Sequence, residues 1–463
     1  MATVGPASST AEALRALVEA GADVVRLNAA HATPAEHAAR ASLAREAAAA
    51  AGRTVGVLVD LPGPKLRTGP VAGGEVELEP GAAFVLTADE VEGDARQVGT
   101  TVPDLSSWVR VGDDVHLADG EIVLRVEALA AGDVHCRVMR GGVLRSRKGM
   151  HVPRAEAFVD PFTDADAQAL AMAVRIKADL VGLSFVRRPE DVENVRAKLP
   201  RRGPRPLLVA KIETSAALDH LAGVVAAADA VMVARGDLGI QVPARRVPLI
   251  QKEIIRFCNM AGKPVITATQ MLESMTRSPM PTRAEVNDVA NAVIDGSDAL
   301  MLSEETAVGV DPAHAVRTMA EVAEAAESWP RPRVTPAGAG AATDDDRVAW
   351  AVAHAAVQAA EDLAVAAIVC PTQSGTTARR VAAFRPSVPI VATSPRPDVL
   401  GRLALVWGVR PLRVAAQAED PVRAALRAAR DAGVVARRDL VAVVSASAGP
   451  RAGSTDVVRV LRA

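Results

Sequence analysis

A chain of 463 residues that is 49% hydrophobic and 23% charged is long enough for roughly two to four globular domains with substantial cores. Its 53 basic and 55 acidic side chains leave a formal net charge of −2, which argues against a nucleic-acid partner or an acidic membrane surface. Three widely separated cysteines (Cys136, Cys258, Cys370), no basic-then-apolar leader and no bilayer-length apolar run lead us to expect a cytoplasmic protein whose partners are small molecules and other subunits.

Short β-branched runs alternate with helical patterns from the start of the chain. The first three predicted strands are "ATVGP" (2–6), "DVVRLN" (23–28) and "TVGVLVD" (54–60). From Val71 to about Val152 the texture changes to period two, as in "DDVHLADGEIVLRV", with an Asp119-Gly120 hairpin signal. That segment predicts a small β domain growing out of a barrel loop. Strand patterns then resume at "DLVGLSF" (179–185), "PLLVAKIE" (206–213), "AVMVARGD" (230–237), "KPVITATQ" (263–270) and "DALMLSEE" (298–305). Eight such units predict an α/β fold, a (β/α)8 TIM barrel whose site is built by the loops after the strands. "SWPRPRVTPAGAGAATDDD" (328–346) reads as a linker, and "AAIVCPT", "VPIVATS" and "DLVAVVSA" beyond it predict a C-terminal α/β domain. The expected boundaries are 1–69 with 155–332 for the barrel, 70–154 for the inserted β lid and 345–463 for the last domain.

Polar residues gather at the predicted strand ends. Arg26 and Asn28 end strand two, Asp60 strand three, Ser184 strand four, Lys211 and Glu213 strand five, Asp237 strand six, Thr269 strand seven and Ser303 strand eight. Singly, each suits a solvated barrel rim; together they predict one convergent site. Glu213 and Asp237 on adjacent strand ends repel unless a cation sits between them, and hard oxygen ligands suit Mg2+ or Mn2+. Lys211 lies on the same side of its strand as Glu213 and can place its ammonium over a transferring phosphoryl group. Arg26 can hold a phosphate by its planar fork. These are the parts of a phosphoryl-transfer site, where catalysis is mostly positioning and charge neutralisation.

The strings "VGPAS" (4–8), "RLN" (26–28), "KIE" (211–213), "VARGDLG" (233–239), "AGKPVITATQMLESM" (261–275), "PTRAEVNDVANAV" (281–293) and "LALVWGV" (403–409) carry a resemblance to the pyruvate kinase family over nearly the whole length. The resemblance implies a barrel with an inserted lid and a C-terminal domain, and transfer of phosphate from phosphoenolpyruvate to ADP, giving pyruvate and ATP. It implies that Arg26 contacts the phosphates, that Lys211 stabilises the transferring group and that Glu213 with Asp237 holds the divalent metal. Thr269 is then placed beside the enolate, with Thr269 and Ser303 the two candidates for delivering its proton. Ser184 and the segment Ala234, Arg235, Gly236 and Asp237 are implied to bind substrate, its carboxylate cradled by backbone at a helix start. Asn28, His31, Arg67 and Lys148 are implied to bind nucleotide.

"CPTQSGTTARRVAAFRP" (370–386) reads as a strand, a Ser/Thr/Gly turn and a helix, either an anion loop or an ordinary helix cap. In relatives this loop binds a phosphorylated sugar effector, which points to Thr372, Ser374, Gly375, Thr376 and Thr377, with "SAGPRAGST" (447–455) completing the pocket. A homotetramer is expected on resemblance alone.

Several positions depart from the family. Relatives read D-T-K-G-P-E-I-R-T-G where this chain has "LVDLPGPKLRTG" (58–69), and bind K+ through an asparagine, a serine and the aspartate. Asn28 and Asp60 are kept, but Ala30 stands at the serine and Lys65 at the glutamate. We therefore expect Lys65 to supply the monovalent charge, with Mg2+ or Mn2+ required and K+ not; a lysine paired with a surface carboxylate is the plain alternative. "RLNAAHA" replaces N-F-S-H-G, "SEETA" (303–307) adds Glu304 near the mouth, and the lid hinge "HVPRAEAF" (151–158) lacks P-G. The residues that usually precede "ATVGPAS" are missing, so a misassigned start is expected, since a stunted first strand would leave backbone groups on its neighbours unpaired. Two alternatives are weighed: a catalytically weak paralogue sensing phosphorylated metabolites, and another oxoacid-handling barrel such as an aldolase or mutase.

Overall fold

The structure is a computed structural model that describes residues 1–152, 158–329, 336, 343–416, 420–447 and 455–463. Eight parallel strands, Ala2–Thr3, Val24–Asn28, Gly56–Asp60, Leu180–Leu183, Leu207–Ile212, Ala230–Ala234, Val265–Ala268 and Ala299–Met301, pair in sequence order. The ring closes where Thr3 N donates to Leu302 O (3.1 Å) and Leu302 N to Met1 O (3.0 Å). Strand one is thus short but bonded on both sides, Ala2 and Thr3 pairing Val25 and Arg26 on the other flank.

Strand parity builds the site. Leu58, Leu180, Val209, Met232, Ile266 and Met301 fill one buried cluster together with Leu405 from the C-terminal segment. Their neighbours Val57, Val59, Val181, Leu208, Ala210 and Val231 belong to the larger cluster that packs against the helices. Strands buried on both faces read as nearly continuous apolar runs, which explains the β-branched signal in the sequence. Stepping two residues along the inner face leads from Leu58 to Asp60, from Val209 to Lys211 and Glu213, and from Met301 to Ser303, so the polar set inherits its direction from the barrel interior. Gly182 leaves room for one member: a Cβ there would stand 2.6 Å from Asp60 Oδ1.

Between strands three and four the chain forms a six-stranded sheet and a two-stranded one, with its own core around Phe84, Leu86, Leu117, Ile122 and Leu124. The Asp119-Gly120 hairpin exists, but its pairing closes at Leu117 and Ile122. The loop is therefore longer than a two-residue turn, with Ala118 (φ 50°) and Gly120 (φ 88°) left-handed.

The C-terminal sheet has the order Val409–Arg413, Ile390–Ser394, Ala367–Pro371, Leu440–Ser445, Val457–Arg462, the last strand antiparallel. The two edge strands were not anticipated; Pro411 and the interspersed arginines Arg410, Arg413, Arg459 and Arg462 suit edges, where one side needs no partner. The acidic run assigned to the linker is instead the first turn of the helix Asp344–Asp362, capped by Thr343; carboxylates there meet the positive end of the helix dipole. No described helix is long and apolar enough to cross a membrane.

The C-terminal domain sits against the base of the barrel with little clearance. A Cβ on Gly56 would stand 2.5 Å from Gly401 O, and one on Gly401 2.3 Å from Asp179 Oδ1. Arg385 reaches across to Asp298 Oδ2 (2.9 Å), Gly296 O (2.8 Å) and Asn259 Oδ1 (3.0 Å). Gly401→Ala is accordingly expected to destabilise by about 1–3 kcal/mol through overpacking; unchanged melting against wild type would show that the interface yields freely.

Candidate active site

Strand five carries the centre. Lys211 Nζ donates to Ser184 Oγ (2.8 Å) and stands 2.8 Å from Glu213 Oε1 and 3.5 Å from Asp60 Oδ1. Neither of those carboxylate oxygens accepts an aligned hydrogen bond from a described residue. Burial opposes the charge on Lys211, yet Asp60 and Glu213 overcome it and hold the ammonium above the ordinary lysine range. Asp60 is also buried, but Lys211, then Arg26 and Lys65, keep its carboxyl below the usual range.

The Arg26 guanidinium is directed at Asp60: Nε (2.9 Å) and Nη2 (2.7 Å) both donate to Oδ2, and Nη1 donates to Thr3 Oγ1 (3.1 Å). The fork expected to face a phosphate is therefore partly spent, leaving one N–H on each Nη.

Glu213 behaves differently from Asp60. Burial pushes its carboxyl up and Asp237 adds to the rise, against Lys211 and the Phe185 N–H bonded to Oε2 (2.7 Å). Asp237 lies not on strand six but in the first turn of the helix Arg235–Gln241. Among the described residues no group of three or more His, Cys, Asp or Glu gathers as a metal cage. Two carboxylates still fit Mg2+, which keeps several waters and takes substrate phosphates as ligands. Buried Glu213 Oε1, whose carboxyl is pushed toward protonation first by burial and then by Asp237, has the Lys211 ammonium as its ion-pair partner and is a hard oxygen that a divalent cation would also suit.

Strand seven ends in strained backbone. Thr269 (φ 68°) and Gln270 (φ 52°) are left-handed, a region costly for a β-branched residue. Thr269 Oγ1 accepts from Gly236 N (2.8 Å) and donates to Ala268 O (2.6 Å). Arg235 holds this turn: Nε donates to Ala268 O (3.2 Å), Nη2 to Thr269 O (2.6 Å) and Gln270 O (3.2 Å), and Nη1 to Asp288 (2.6 Å). Its side chain is thus a backbone clamp rather than a free cation for substrate. We expect Arg235→Met to release Thr269 and lower kcat/KM by about 10²-fold, since small misplacements at a reacting centre cost that much; a titration with the phosphorylated substrate would read it.

Ser303 precedes the helix Glu304–Ala307. Its N–H donates to Glu305 Oε2 (2.6 Å), while Oε1 accepts from Leu272 N (3.1 Å). Buried Glu305 thereby ties the ends of strands seven and eight, and sequence reasoning missed it because Glu304, which is exposed, drew the notice.

Lys65 is exposed; its backbone N–H donates to Gly63 O (2.9 Å), and its ammonium has no hydrogen bond or ion pair with another described residue. Its charge acts on Asp60 and on His31, whose ring is held below the usual range by burial, then by Lys65, Arg67 and Arg26. Asn28 Oδ1 accepts from Ala30 N (3.2 Å). Arg67 donates to Arg147 O (3.0 Å), and Lys148 joins Thr68 through backbone N (3.1 Å) and O (2.9 Å) rather than through its ammonium.

In the C-terminal loop Thr372 Oγ1 accepts from Gly375 N (2.9 Å), Ser374 Oγ meets Thr376 Oγ1 (3.0 Å), and Thr377 Oγ1 meets Thr455 Oγ1 (2.7 Å). These bonds fit a helix cap as well as an anion loop. Residues 448–454 of the closing loop and 153–157 of the lid hinge lie outside the described residues.

The family model described as "Pyruvate kinase, barrel domain" matches residues 1–316, and "Pyruvate kinase, alpha/beta domain" matches 350–461. The chain is 41% identical to "Pyruvate kinase" of Geobacillus stearothermophilus, covering 99% of this chain and 79% of the relative. It is 40% identical to "Pyruvate kinase" of Mycobacterium intracellulare (99% and 97% covered) and 37% identical to that of Clostridium acetobutylicum (99% and 98% covered).

Proposed function

The chain belongs to the pyruvate kinase family, and from that premise we propose how its own residues carry the transfer from phosphoenolpyruvate to ADP. Membership across the full length sets aside the aldolase or mutase alternative. In the reaction the bond from phosphorus to the enol oxygen breaks, a bond to a terminal ADP oxygen forms, and the released enolate takes a proton at carbon to give pyruvate.

Lys211 is the observation that carries the reading: a buried ammonium 2.8 Å from Glu213 and 3.5 Å from Asp60. There it neutralises charge on the transferring phosphoryl oxygens without having to reorganise. The remaining N–H groups of Arg26 are assigned to the phosphates, Ser184 orients Lys211, the backbone of the Ala234–Asp237 segment at the helix start is assigned to the substrate carboxylate, and Thr269 to the side of the enolate. Thr269 and Ser303 are the candidates for delivering the proton.

Glu213 and Asp237 would hold Mg2+ or Mn2+, which when bound neutralises charge on substrate oxygens as a Lewis acid. Either ion alone should stabilise the wild type by about 2.7 kcal/mol at a hundredfold excess over Kd. Glu213→Gln should lose that stabilisation. Because the Glu213 carboxyl is pushed up, protons compete with metal and the gain shrinks as pH falls through its raised value. Thermal melting with and without metal at several pH values checks this.

K+ is not required in this reading, because the Lys65 charge already acts on Asp60. Asn28, His31, Arg67 and Lys148 form the nucleotide side. Exposed Leu249, Met280, Val308 and Val310 are assigned to subunit contacts of the homotetramer that the resemblance implies, and the Thr372–Thr377 loop is assigned to a phosphorylated sugar effector. The cytoplasm is the compartment proposed. An assay coupling pyruvate formation to a reporter, with phosphoenolpyruvate, ADP and Mg2+ and with or without K+, tests the whole; no pyruvate in any arm overturns it.

A further inference from the structure

The inserted lid touches the barrel mouth through a histidine. Strands Asp114–Leu117 and Met150–His151 run antiparallel and pair His116 with His151, their rings 6.0 Å apart at 53°. His151 Nδ1 lies 3.4 Å from Gln241 Nε2, at the end of the helix whose first turn carries Asp237. The turn Ala118–Gly120 packs on the same helix, where a Cβ on Gly120 would stand 3.5 Å from Ile240 Cγ1.

The surroundings of both rings favour the neutral form. Burial, then the His116 ring, pushes His151 down to about 4. Burial also lowers His116, with Arg140 adding to the shift and Asp114 opposing it. Asp114 is itself engaged by Arg125 (2.7 and 2.8 Å), and Arg140 donates to Glu121 O (2.9 Å). On the packed helix, Arg235 is spent on its clamp and Asp237 sits a turn away from Gln241. Among the described residues neither ring is hydrogen-bonded to a carboxylate that would welcome a proton.

We propose that His151 is a positioning residue: as a neutral ring it accepts from Gln241 and latches the lid to the helix bearing Asp237, and protonation of the His116–His151 pair releases that latch. Rotation of the Gln241 amide can return one hydrogen bond to a protonated ring. It cannot remove the cost of burying the charge or the repulsion between two imidazoliums. The sign follows from the closed-state value lying below the ordinary 6.5. Closure is complete above that ordinary value and is lost as pH falls toward the depressed one, about tenfold between pH 7.5 and 5.5.

The proposal rests on the activity above for its kinetic readout, so a second measurement is independent of it. In the first, kcat/KM of the Mg2+-loaded enzyme is followed across about pH 5–8 for wild type, His151→Asn and Gln241→Glu. Asparagine can still meet Gln241 but cannot titrate, so His151→Asn should keep neutral-pH activity within a few-fold. It should lack the extra acid loss of about tenfold that remains in wild type after the shared substrate titration is subtracted. Gln241→Glu gives a protonated ring a partner and should move the wild-type loss to lower pH. Superimposable profiles for wild type and His151→Asn overturn the proposal. In the second, the His151 ring is titrated by NMR in the full chain. A value well below the ordinary one supports the latch and an ordinary value overturns it, even if the chain makes no pyruvate and the activity reading itself has failed.

Discussion

Lys211→Met should lower kcat by about 10³-fold, the loss expected when a preorganised charge facing the transferring group is removed. KM should move far less, because Arg26 and the backbone around Gly236 still bind substrate. A second effect follows from burial. Asp60 and Glu213 are nearly solvent-free, at 1% exposure each, and lose the ammonium that lies between them. Breaking a buried ion pair by deleting one partner typically costs about 3–5 kcal/mol. The pH dependence separates the two roles. Asp60 is held below the usual range by Lys211 before any other group, so its contribution to stability is present above the unfolded carboxylate value and disappears as pH falls through the depressed one. In Lys211→Met that protection shrinks and acid unfolding should begin at higher pH. The Lys211 contribution itself, with its value raised, is complete below the unfolded lysine value and is lost only in strong alkali. Single-turnover kinetics and acid melts of the two proteins, compared side by side, read both; unchanged kcat would remove Lys211 from the chemistry.

If Lys65 fills the role proposed for it, Lys65→Glu should make turnover depend on K+. Lys65 is exposed, and it lowers the Asp60 carboxyl through space. A glutamate there removes that charge and adds a second carboxylate facing Asp60, an arrangement that attracts a monovalent cation. Without K+, activity should fall by about 10²-fold, the scale of one lost electrostatic stabiliser. KCl should recover part of it, and adding Ala30→Ser, which restores a ligand oxygen, should recover more. Tetramethylammonium chloride at matched ionic strength controls for screening of exposed charges. A wild type that is nearly inactive in sodium buffer and rises steeply with K+ would end the assignment of Lys65.

Much of the site could be read along the chain because the barrel converts sequence spacing into direction. A strand buried on both faces must alternate, so Val209, Lys211 and Glu213 share the inner face whatever the rest of the molecule does, and the same holds for Leu58 with Asp60. The match of short apolar runs to barrel strands at all eight places has the same origin.

What the chain order could not supply are contacts whose partners lie far apart in sequence and whose geometry depends on loops. The Arg26 guanidinium turns to Asp60, the Arg235 side chain turns away from the mouth to clamp Thr269 in a left-handed conformation, and Glu305 binds two loop ends together. Asp237 left strand six for a helix turn, and His151 met Gln241 only because the lid folds back onto that helix. Periodicity along a strand decides which way a side chain points. Only closure of the ring and docking of the lid decide what it meets, because those contacts are selected by packing and charge over distances that local spacing does not encode.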